Sequence, residues 1–133
     1  MKRIFLLLHL LAIGILSSCK KDQQPKPNSG ILHGTYKLTG IAYGTDVTGS
    51  GEASFTDVTS EKTITVKADG TITSNGDLCY DETSIGNPTS GTYANGVITV
   101  TNCSETQYKA YGNLFIIGHT YLGTSRSRFV RIN

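Results

Sequence analysis

Lys62-Thr63-Ile64-Thr65-Val66-Lys67-Ala68-Asp69-Gly70-Thr71-Ile72-Thr73 is the stretch that decides the fold. From Lys62 to Ala68 polar and apolar residues alternate, the pattern of a strand with one buried face. Asp69-Gly70 then interrupts the alternation, and Thr71-Ile72-Thr73 resumes it. An Asp-Gly pair readily supplies the positive φ angles of a type I′ turn, so the stretch predicts a two-residue hairpin.

The same device recurs downstream. Asn95-Gly96 separates Gly91-Thr92-Tyr93-Ala94 from Val97-Ile98-Thr99-Val100. Gly112-Asn113 separates Gln107-Tyr108-Lys109-Ala110-Tyr111 from Leu114-Phe115-Ile116-Ile117. Tight hairpins at short spacing predict an up-and-down antiparallel meander. Further strands are expected over Gly34 to Tyr43, with Gly40 a candidate bulge, over Ser50 to Thr56, and over Arg126 to Ile132. The predicted fold class is therefore all-β: an antiparallel up-and-down barrel of about eight strands, since closure removes exposed edges. A two-sheet sandwich is the alternative. Tyr36, Leu38, Ile64, Val66, Ile72, Leu114 and Ile116 are the expected inward positions. Leu114 to Ile117 is apolar on both faces, so an outer cover is expected there, from the 44–60 segment.

Upstream of this domain lies a different kind of sequence. Lys2 and Arg3 precede the apolar run Ile4 to Leu16, which is broken only by His9 and Gly14. The run is shorter than the roughly 20 residues a membrane-spanning helix needs. A positive start, a short apolar core and small residues at its end describe a signal peptide. Leu16-Ser17-Ser18-Cys19 resembles the lipobox of bacterial lipoproteins. That resemblance implies cleavage before Cys19, lipidation of Cys19, and attachment to an envelope membrane. Lys20 stands where an aspartate would signal inner-membrane retention, so the resemblance implies the outer membrane, with the periplasmic or surface face left open. Residues 20–29 are polar and carry Pro25 and Pro27, the composition of a tether. The expected organisation is a signal peptide at 1–18, a lipidated cysteine with its tether at 19–29, and a β-domain at 30–133.

The chain has 12 basic and 10 acidic residues, and losing Lys2 and Arg3 with the leader leaves 10 of each. A neutral chain lacks the basic footprint of nucleic-acid binding, so no such partner is expected. Beyond Cys19, only Cys79 and Cys103 remain. One spare pair in an exported chain points to a disulfide, with two thiols or a metal pair as alternatives. His33 and His119 are expected at the surface with no catalytic or metal role. Asp77, Asp81 and Glu82 read as a solvated loop, because the alternating oxygen ligands of a calcium loop are missing. No nucleophile-elbow motif is present. No catalytic residue, metal or cofactor is expected, and the chain is read as a monomer and not an enzyme.

Leu32-His33-Gly34-Thr35-Tyr36-Lys37-Leu38 resembles the Gly-x-Trp-x-Leu opening of the lipocalin-like domains of bacterial lipoproteins, with Tyr36 in place of tryptophan. The 62–71 hairpin, Ser90-Gly91-Thr92-Tyr93 and Phe129-Val130-Arg131-Ile132 are also similar. A fainter resemblance to the META family of secreted β-domains rests on Asp69-Gly70, Gly76 to Cys79 and Gly91-Thr92-Tyr93. The lipocalin resemblance implies a barrel able to hold a small apolar ligand. It also implies that Arg131, or Arg128, packs over Tyr36 and closes one barrel end, a contact worth about 0.5–2 kcal/mol. Two function classes stay open on the sequence: a carrier of a small apolar ligand, and a structural or interaction domain with a filled core.

Overall fold

The computed structural model describes residues 30–31, 33–44, 54–120 and 124–133. The leader, Cys19 and the tether lie outside the described residues. Nine strands follow in chain order: β1 (Gly34–Tyr43), β2 (Thr56–Asp57), β3 (Thr63–Val66), β4 (Thr71–Ser74), β5 (Thr89–Ala94), β6 (Val97–Val100), β7 (Thr106–Tyr111), β8 (Leu114–His119) and β9 (Ser125–Arg131). Each pairs antiparallel with its neighbours from β3 to β9, and β1 pairs with both β3 and β9. The sheet thus closes into an eight-stranded barrel, and β2 is the extra strand, paired with β1 alone. Closure leaves no long open edge, the liability that an open meander of this length would carry.

The hairpins use three different turns. Asn95 and Gly96 both have positive φ, at 49° and 84°, as a type I′ turn demands. At 112–113 only Gly112 is positive, at 56°, the glycine-first pattern of type II′. The Asp69-Gly70 hairpin differs from the two-residue turn expected from the sequence. Lys67 N donates to Thr71 O and Gly70 N donates to Lys67 O, which makes Ala68-Asp69-Gly70 a three-residue loop. Gly70 alone takes positive φ, 84°. Asp69 stays at negative φ because its carboxylate accepts from the Thr71 amide (2.9 Å) and hydroxyl (2.6 Å). Those bonds also hold the carboxyl below its ordinary pKa.

The lumen is filled by Tyr36, Leu38, Ile64, Val66, Ile72, Leu78, Ile98, Val100, Tyr108, Ala110, Phe115, Ile117 and Phe129. Inward alternation matches expectation on β1, β3 and β4. It is reversed on β8, where Phe115 and Ile117 are buried and Leu114 and Ile116 are half-buried. The Gly112-Asn113 turn sets this phase by pairing Tyr111 with Leu114, Ala110 with Phe115 and Tyr108 with Ile117. Because both faces of β8 are apolar, alternation within the strand could not reveal it.

On β1 the register shifts between Leu38 and Gly40, next to the glycine expected to mark a bulge. The shift brings Ile41, not Gly40, into line with inward Ser127, and sets Gly40 against Arg128 on the outer wall. A Cβ on Gly40 would lie 2.9 Å from Arg128 Nη2 and 3.1 Å from its Cζ. The missing side chain lets the guanidinium lie against the sheet. From there it bonds Asp57 (2.6 Å) and covers the Phe55 ring at 5.0 Å, clamping β2 to the barrel. The described part of the segment expected to cover Leu114–Ile117 thus lies on β1 and Arg128 instead; residues 45–53 lie outside the described residues.

Candidate functional site

The two barrel ends differ in kind. One carries the tight turns at 67–71, 95–96 and 112–113, together with residues 33, 132 and 133; it is termed the hairpin end. The other carries the longer connections 75–88 and 101–105 and is termed the lid end.

At the hairpin end Tyr36 is fully buried and stands opposite Arg131 in the β1–β9 register. The Arg131 guanidinium donates to the carbonyls of Asn133 (3.0 Å) and His33 (3.0 Å), tying together the segments that flank the domain. Burial raises the Tyr36 pKa, and the Arg131 charge partly offsets it. Arg128, the other candidate for closing this end, lies over Phe55 on the outer wall instead, because it sits on the outward phase of β9.

The middle of the lumen is aromatic. Phe115 stacks on Tyr108 at 5.1 Å and meets Tyr36 at 5.7 Å, and Tyr93 sits edge-on to Tyr108 at 5.9 Å. Rings contributed by β1, β5, β7 and β8 thus cross the interior.

The lid end is polar inside. Lys62 is only 1% exposed and shares the inward phase of Ile64 and Val66. Its ammonium donates to the carbonyls of Tyr80 (3.1 Å) and Glu82 (2.9 Å). Burial lowers its pKa from the ordinary value, while Asp77, Glu82 and Asp81 oppose that shift. Of the acids expected in a solvated loop, Glu82 is exposed and Asp77 and Asp81 are half-buried, and all three act on the buried ammonium through space. Gly76 makes room for the lysine stem: a Cβ there would lie 3.3 Å from Lys62 Cδ and Cε and 2.7 Å from Ser84 O. Cys79 and Cys103 form a disulfide with Cα atoms 5.7 Å apart, fastening the 75–88 segment to the 101–105 connection.

His119 corrects the expectation of a surface histidine. It is 3% exposed, on the inward phase of Phe115 and Ile117, with Nε2 3.1 Å from the Ser127 hydroxyl. Nδ1 is buried with no hydrogen-bond partner of ordinary geometry among the described residues. Thr106 Oγ1 is also buried with no hydrogen-bond partner among the described residues. His33, by contrast, is exposed at the opposite end, so the two histidines do not converge. Among the described residues no group of three His, Cys, Asp or Glu side chains comes together to hold a metal.

Burial, then the Lys62 charge, hold the His119 pKa at about 4 against an ordinary 6.5. The unfolded chain takes up a proton near 6.5, and the folded barrel does not until near 4. Stability is therefore unaffected by this group above that window and falls as pH drops through it, by at most about 3 kcal/mol. Thermal midpoints measured across the window should fall steeply for the native chain and less for His119→Gln. Equal slopes would refute the assignment.

A pocket of ≈ 90 Å³ lies at the lid end, lined by Cys79, Tyr80, Asn102, Cys103, Ser104, Thr106 and Thr120. Pockets for small organic ligands span roughly 300–1,000 Å³. Comparison with family models, curated proteins and solved structures finds no match to the chain.

Proposed function

We propose that this chain is a lipid-anchored protein of the bacterial outer membrane, whose barrel is a small interaction domain held on a short tether at Cys19. The observation that carries the reading against a ligand carrier is the crossing of the lumen by Tyr36, Phe115, Tyr108 and Tyr93. A lipocalin-type carrier needs that space for its ligand. The anchor rests on the leader and on Leu16-Ser17-Ser18-Cys19. Several acyl chains at Cys19 hold firmly, because each buried methylene adds about 0.8 kcal/mol. The reading assigns the chain no catalysis, no nucleic acid and no cofactor.

Two measurements test it. Protein from the native host should carry acyl chains at Cys19 by mass spectrometry, and Cys19→Ser should shift it from the detergent phase to the aqueous phase. Titration of the mature domain with an apolar fluorescent naphthylamine should give no saturable binding. Unmodified Cys19 would remove the anchor, and stoichiometric probe binding would restore the carrier.

A further inference from the structure

The lid is an excursion from a barrel that is complete without it. Ser74 pairs with Thr89 at the β4–β5 register, so the connection leaves and rejoins the sheet between two paired residues. Leu78, 1% exposed, plugs the core at its base. Beyond Leu78 the character changes. Residues 82–88 are all exposed, and Ile85 is 58% exposed, an apolar side chain in water. The hydrogen bonds that hold 79–88 to the rest of the domain include the two Lys62 bonds to Tyr80 O and Glu82 O, the Ser60 hydroxyl on Thr83 O, and Gly86 N on Asn75 O at 3.0 Å. The covalent hold is the disulfide. Both of its cysteines are half-buried, and both line the pocket described above.

We propose that Cys79–Cys103 is a redox latch: a dithiol that reaches it through this pocket opens the bond, and the freed 79–88 segment uncovers the Lys62 ammonium. A thiolate of the dithiol attacks one Sγ, which breaks the Cys79–Cys103 bond and releases the other cysteine as a thiolate. The second thiol of the dithiol then displaces the first cysteine. Two electrons and two protons pass to Cys79 and Cys103, and the dithiol leaves as its own disulfide. Accessible disulfides are the ones open to such exchange, whereas sealed ones resist it. In the closed state the lid carbonyls serve as acceptors for Lys62. Opening removes them and turns an inward amine, within electrostatic reach of His119, toward solvent.

The test uses the oxidised mature protein, an amine-acylating ester and peptide mass spectrometry. Lys67, exposed at a hairpin tip, is the internal reference. Treatment with dithiothreitol should raise Lys62 acylation relative to Lys67 by roughly tenfold or more, while the amides of Ile64, Phe115 and Ile117 still exchange only through global unfolding, faster solely by the stability lost with the bond. Reoxidation should restore protection of Lys62. A bond that resists dithiothreitol until those amides exchange would overturn the latch. So would a reduced protein in which Lys62 stays protected. Lys62 acylation that rises only in step with the exchange of those strand amides would make the disulfide a staple of the whole fold, and would overturn it equally.

Discussion

Phe115→Ala is expected to remove about 3–5 kcal/mol of stability. Its ring is fully buried, stacks on Tyr108 and touches Tyr36, so truncation loses both buried area and ring contacts. The neighbours come from β1 and β7 as well as β8, and a closed barrel cannot collapse readily onto the void. Domains of this size hold about 5–15 kcal/mol in total, so the variant should sit near its unfolding threshold. Urea unfolding should show a lowered midpoint with an unchanged slope. Leu114→Ala, one residue away on the outward phase, should cost less than half as much. The reverse order of the two variants would mean that β8 presents its other face to the lumen.

Removing the disulfide with Cys79→Ser and Cys103→Ser together should cost about 3–4 kcal/mol in the chain-entropy model. The cross-link spans 24 residues and so denies the unfolded chain a large set of conformations. The loss should appear in the equilibrium unfolding free energy and, by the same amount, in the exchange of the slowest strand amides, which open only with the whole fold. A loss below about 1 kcal/mol would contradict the entropic account. Reduced native protein and the double variant should give the same midpoint, because both lack the same constraint.

The barrel could be read from the sequence because its turns and its alternation agree. Asn95-Gly96 and Gly112-Asn113 fix their hairpins through backbone angles that few other residues adopt. Alternation on β1 and β3 aims Tyr36, Leu38, Ile64 and Val66 at one face. The polar lid end was legible only in part. Lys62 stands two residues before Ile64, and the same alternation aims it inward; a charged residue at the head of a strand gives no sign that lid carbonyls will receive it. His119 follows Phe115 and Ile117 at the same spacing. Its burial stays hidden while Leu114 and Ile116 are taken as the inward pair. The phase of β8 is set by Tyr108 across the turn, a neighbour in space that strand periodicity alone does not weigh. The Cys79–Cys103 pair was legible from its count, because no other partner remained for either.

The seam between β1 and β9 has a consequence for how the molecule comes into being. Thr35 bonds the Asn133 side chain at a sequence separation of 98, and Ile132 N donates to Thr35 O. A growing or threading chain that has delivered β1 through β8 still lacks the strand that completes the cylinder. Contacts of such long range form late and slowly, since a large loop must close before they are gained. Until that seam is made the sheet remains an open meander, with β1 and β8 as its unpaired edges.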